Sequence, residues 1–115
     1  MPVRPLCPAV LAAIVTACGC AHADSIERGR RLLAQYQCGS CHSIPGVPSA
    51  GGKLASSLEG FGLRSYIAGR IANRQDALAR WIEQPKALVP ETAMPSMGVS
   101  PADAREMAAY LLELK

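Results

Sequence analysis

Apolar positions recur at spacings of three and four in three places along the chain, and nowhere do they alternate as in a strand. Ile26, Gly29, Leu32, Leu33 and Tyr36 line one face of a first helix. It starts near Asp24, three residues ahead of Glu27 in a capping pattern, and ends before Cys38. Leu78, Trp81 and Ile82 mark a second helix that begins around Asn73. It stops before Pro85, because the backbone ahead of a proline leaves the helical region. The third opens on Ser100-Pro101-Ala102-Asp103: a cap, a proline at the first helical position and an acid at the third. Its apolar stripe is Ala104, Met107, Ala108, Leu111 and Leu114. A weaker helical turn is expected over 65–71. Two irregular stretches rich in glycine and proline, Ser43 to Gly62 and Pro85 to Gly98, separate these elements. Loops of that length in a small domain need something to wrap around. The pattern predicts an all-α domain of three to five helices with long wrapped loops.

The one uninterrupted apolar run, Leu6 to Ala17, is too short to span a bilayer, which takes about 20 residues. It follows a single early charge, Arg4, and is followed by small residues, the shape of an export leader. Ala21-His22-Ala23 offers a cleavage site that makes Asp24 the first mature residue. Val15-Thr16-Ala17-Cys18 competes with it and looks like the lipobox of bacterial lipoproteins, in which Cys18 would be acylated. The expected organisation is therefore a leader over 1–23, or 1–17, and one domain over 24–115, located in the periplasm and membrane-anchored only if Cys18 carries lipid.

Composition narrows the function. A chain of 115 residues is one small domain, not a multidomain enzyme, and a net charge of +3 scattered along it gives no footprint for nucleic acid. Removal of residues 1–23 leaves 92 residues with a charge of +2, and only two cysteines, Cys38 and Cys41. The aromatic inventory is Tyr36, Phe61, Tyr66, Trp81 and Tyr110. A domain this small with so few rings needs apolar area from elsewhere, and a large flat cofactor would supply it.

Cys38-Gly39-Ser40-Cys41-His42 is the C-x-x-C-H arrangement for covalent haem attachment. Two thiols at this spacing add across the two vinyl groups of the porphyrin. The histidine next in sequence is then held beneath the ring to ligate iron, and Gly39 and Ser40 are small enough to lie against it. The bland reading is a disulfide or redox C-x-x-C beside an incidental histidine; no βαβ pattern accompanies it here. For the sixth ligand, the other histidine, His22, falls in the leader. Met107 lies on the stripe of the third helix and reads as core. Met94 and Met97 sit in the second wrapped loop, where one can ligate while the other packs.

These residues resemble the class I c-type cytochromes of bacteria. The likeness runs from Gly29 to Leu114 through G-R-R-L-L-x-Q-Y, C-G-S-C-H, S-I-P-G-V, R-S-Y-I-A-G, W-I-x-Q-P, T-A-M-P and A-A-Y-L. The resemblance implies the small class I cytochrome c fold around one covalent haem c. It also implies that the methionine before a proline, Met94, ligates iron opposite His42. By the same likeness Arg64, Tyr66 and Trp81 meet the haem propionates, and Gly29 faces Tyr110 where the first and last helices cross. One segment departs from the family: its frequent G-P-x-L, whose proline carbonyl takes the other proton of the ligand histidine, is matched here by Ala55-Ser56-Ser57-Leu58. Serine keeps the carbonyl but not the rigidity.

The expected function is single-electron transfer in a respiratory chain, with an oxidase or reductase as redox partner and no catalytic residues of its own. Two other readings stand beside it. In one, the sixth position is open, giving a peroxidase-like protein or gas sensor, though no distal histidine is available. In the other, the cysteines are a thiol–disulfide couple.

Overall fold

The protein is described here from a computed structural model, which covers residues 1–3 and 17–115. Arg4 and the apolar run as far as Thr16 lie outside the described residues. Among the described residues four α-helices carry the fold: α1 (Ala17–Gln35), α2 (Gln75–Glu83), α3 (Pro85–Leu88) and α4 (Pro101–Glu113). Two strands of two residues each, β1 (Tyr66–Ile67) and β2 (Ile71–Ala72), pair antiparallel with Ile67 opposite Ile71.

The helix α4 starts where its sequence says. Ser100 Oγ accepts the Asp103 backbone N–H at 3.2 Å and Pro101 takes the first helical position. Its stripe packs as expected, with Ala104, Met107 and Ala108 at zero exposure. Burying Met107 or Leu33 completely stabilises by about 1.5–3 kcal/mol each. The helices α1 and α4 cross at Gly29, where any Cβ would run into the Glu106 carbonyl and lie 3.1 Å from Tyr110 Cβ. A polar seam borders the crossing. The Tyr36 hydroxyl donates to Asp103 at 2.7 Å, Arg28 pairs with Asp103 at 3.1 Å, and Ser25 donates to Glu106. Tyr36 first, and then Arg28, hold the Asp103 carboxyl below its usual range. The core that results joins Leu32 and Leu33 to Phe61, Ile67, Leu78, Trp81, Ile82 and the α4 stripe.

Four expectations are corrected. The helix α1 does not begin at Asp24: it runs back to Ala17, since Ala21 and Ala23 are strong helix formers and no proline intervenes. The helix α2 begins at Gln75, not Asn73, because the Asn73 amide is already committed to the carbonyls of Phe61 (3.2 Å) and Arg64 (3.0 Å). Residues 65–71 are not a helical turn. Ala68 (φ 49°) and Gly69 (φ 70°) both take the left-handed conformation that suits a tight turn between strands, and β-branched Ile67 and Ile71 pair across it. Pro85 opens the short α3 rather than an irregular stretch.

Candidate functional site

The C-x-x-C-H segment follows directly from α1. Gln37 turns the chain through a positive φ of 58°, a short 3₁₀ turn covers Cys38–Ser40, and the His42 N–H returns to the Cys38 carbonyl at 3.0 Å. The wrapped loop then clamps this turn from outside. Gly52 N–H reaches the Gly39 carbonyl at 2.9 Å, Ala55 N–H the Cys41 carbonyl at 2.9 Å, and Leu58 N–H the Ser43 carbonyl at 2.8 Å. The approach is so close that a Cβ on Gly52 would overlap the backbone of Ser40 and Cys41. On the far side, the Tyr110 hydroxyl donates to the Pro45 carbonyl at 2.7 Å and seats the same loop on α4.

The His42 imidazole is oriented from below. Its Nδ1 lies 2.6 Å from the Ser56 carbonyl, and a carbonyl can only accept, so Nδ1 carries the proton. In the neutral imidazole this tautomer has its lone pair on Nε2, the nitrogen that could bind a metal. The expected carbonyl contact survives with serine in place of proline.

Cys38 and Cys41 are half-buried free thiols. Burial pushes the Cys38 thiol above its ordinary pKa. A redox-active C-x-x-C needs the opposite shift, toward thiolate, so the oxidoreductase reading loses ground. No cluster of three or more His, Cys, Asp or Glu able to chelate an ion exists among the described residues.

The second loop places its methionines differently. Met94 is half-buried and packs against the core, whereas Met97 is 45% exposed. The segment around Met94 is tied down: its N–H reaches Thr92 Oγ1 at 3.2 Å, Lys86 Nζ donates to the Thr92 carbonyl at 3.1 Å, and Ser96 Oγ donates to the Glu83 carbonyl at 3.2 Å. Met107 is core, as expected. Of the three residues expected at the propionates, Arg64 and Tyr66 are exposed on the chain around β1, and Trp81 is buried in the core on α2. The Arg64 guanidinium is not free: it donates to the Ser57 carbonyl at 2.5 Å and stacks 5.1 Å from the Phe61 ring centre.

Sequence reasoning missed the supports, namely Thr92, Lys86 and Asn73. Thr92, two residues ahead of Met94, had a readable signal in the side-chain-to-backbone turn that threonine favours at that spacing. Lys86 and Asn73 had none. Asn73→Asp tests the last of these. It replaces two donors with a carboxylate beside two carbonyls, and Asn73 Oδ1 is already buried without a partner. A loss of about 3 kcal/mol, read from the denaturant midpoint, is expected; an unchanged midpoint would remove Asn73 as a tie.

The sequence profile of cytochrome c matches residues 26–115. The chain belongs to the cytochrome c family. Its members hold haem c through covalent bonds and use it to transfer electrons, and this domain is of that kind. It is also similar to cytochrome c oxidase subunit 2 of Alkalihalophilus pseudofirmus, 33% identical over 90 residues. That match takes in 77% of this chain and 25% of the relative, so the chain spans about a quarter of that protein's length. No solved structure matches the chain.

The residues present fit the family's haem. Free cysteines two residues apart, an imidazole whose Nδ1 is held by a carbonyl and a half-buried thioether are groups of the kind that could hold it. Leu54 (87% exposed) and Leu63 (69%) lie in the chain on either side of Ser56, whose carbonyl meets His42.

Proposed function

We propose that this protein is a single-electron carrier of a respiratory chain, held outside the cytoplasm and paired with an oxidase or reductase. When bound, the haem supplies an iron that takes up and gives back one electron. Cys38 and Cys41 would hold one haem through thioether bonds, and His42, fixed by its Nδ1 contact with the Ser56 carbonyl, would present Nε2 to the iron. Met94 would supply the second protein ligand, and with both ligands bound the iron would have no position left for a substrate. Arg64, Tyr66 and Trp81 would supply donors to the propionates, whose burial unpaired would be costly. The observation that carries this reading is the His42 Nδ1 held 2.6 Å from the Ser56 carbonyl, in a histidine directly after Cys41 and four residues after Cys38, both free thiols. The oxidase context is supported by the relative that bears that name.

The test is a denaturing gel stained for haem, using protein made in cells able to mature such pigments. The wild-type band stains, and the Cys38→Ser/Cys41→Ser double variant is colourless, because haem without thioether bonds leaves the denatured chain. A colourless wild-type chain that folds normally would end the proposal. Mass spectrometry of the purified protein tests the location. A start at Asp24 means a free carrier, diacylglycerol on Cys18 means a membrane tether, and an intact Met1 would overturn export.

A further inference from the structure

The loop that accepts the His42 proton is short of intrinsic stiffness. No proline occurs from Ser49 to Gln84, Gly51, Gly52 and Gly60 lie around the accepting residue, and the side chains of Ser56 and Ser57 are exposed. Backbone bonds tie it at Ala55 (to Cys41) and at Leu58 (to Ser43), and the two carbonyls between those ties go to different partners. The Ser56 carbonyl takes His42 Nδ1, and the next one, on Ser57, takes Arg64 Nη2.

Arg64 is well placed to hold that carbonyl. Its guanidinium rests against the ring of Phe61, which is buried and followed by Gly62, whose N–H reaches the Leu114 carbonyl at 2.8 Å. Its backbone is fixed by Asn73, which donates to the Arg64 carbonyl from its amide and to the Ser65 carbonyl from its N–H at 3.0 Å. A charge-assisted bond from a donor held at both ends restrains a peptide far better than a bond to water.

We propose that Arg64 is a positioning residue for His42: by gripping the Ser57 carbonyl, it holds the adjacent Ser56 carbonyl against Nδ1 and so sets the tilt of the imidazole. The role is separate from any donation to propionates, for which the guanidinium keeps its remaining N–H groups. It rests on the reading of His42 as the haem ligand.

The experiment measures solvent exchange of the His42 Nδ1 proton by NMR in the reduced, haem-loaded protein. The proton must leave the Ser56 carbonyl to exchange. In Arg64→Leu, exchange is expected to be about tenfold faster or more, while the backbone amides of Met107 and Ala108 in the core exchange as in wild type. Arg64→Lys keeps the charge but lacks the planar fork, and there a smaller, severalfold acceleration is expected. Exchange within twofold of wild type in either variant would overturn the proposal, and it would leave Arg64 a surface charge or a propionate partner. Wild-type protein that carries haem but shows no Nδ1 proton on His42 would overturn it too, as would wild-type protein without covalent haem, which alone of these outcomes also removes the reading on which the proposal rests.

Discussion

Met94→Ala is expected to yield a protein that still carries covalent haem and still folds, but has lost the Met–iron charge-transfer band of the ferric state and binds carbon monoxide rapidly when reduced. Met97→Ala is expected to keep the band and remain unreactive. The asymmetry follows from the loop. Met94 is half-buried against the core and its segment is pinned by Thr92, Lys86 and Ser96, so its thioether is held in one place without the entropy of a free side chain. Met97 is 45% exposed. Truncating a half-buried methionine costs less than the 2–5 kcal/mol of a fully buried one, well within the stability of about 5–15 kcal/mol of an ordinary domain. The fold therefore outlasts the ligand. The reduction potential is expected to fall in Met94→Ala, because thioether ligation is what raises it. Absorption spectra of the two variants decide the matter, and loss of the band in Met97→Ala alone would move the ligand to Met97. Rapid carbon monoxide binding by the wild-type protein would favour the open-site reading over electron transfer.

The elements that were legible in the sequence are those whose signals are local. Ser100-Pro101 with Asp103 set the start of α4, and spacing of three and four picked out its buried stripe. The C-x-x-C-H motif was readable because it imposes fixed residue types at a fixed spacing, whereas the crossing glycine, Gly29, was expected only from the family resemblance. What escaped depended on contacts distant in sequence. Asn73 looks like a helix cap until Phe61 and Arg64 claim its amide from across the loop. Ala68-Gly69 looks like a weak helical turn until Ile67 and Ile71 pair, after which two successive positive φ angles are the cheaper solution. Arg64 is exposed and charged, so its sequence position carries no hint that it reaches the Ser57 carbonyl. The start of α1 was misplaced for a different reason. The capping pattern at Asp24 is real as sequence, but alanine on its N-terminal side lets the helix run through.

Gly29→Ala sets two effects of opposite sign against each other, and their sizes decide the outcome. Glycine inside a helix costs about 0.5–1 kcal/mol relative to alanine, so propensity alone predicts stabilisation. At this position, however, the added methyl would overlap the backbone carbonyl of Glu106 in α4 and press on Tyr110 Cβ. A backbone carbonyl cannot rotate away as a long side chain can, so α1 and α4 must separate along the seam that buries Leu32, Leu33, Met107 and Ala108. Overpacking of this kind costs about 1–3 kcal/mol and more when backbone is the obstacle. The net expectation is a loss of about 2 kcal/mol, which lowers the Tm of a domain this size by on the order of 10 °C, and Gly29→Val should lose more. Thermal unfolding of the haem-loaded protein measures it. The same displacement reaches the haem-attachment segment, since α1 leads directly into Cys38 and Tyr110 carries the Pro45 carbonyl of the wrapped loop. Faster exchange of the His42 Nδ1 proton is therefore expected alongside the lower Tm. A Tm raised by alanine would mean that the two helices have room to part, and that the glycine serves the helix crossing less than its contacts indicate.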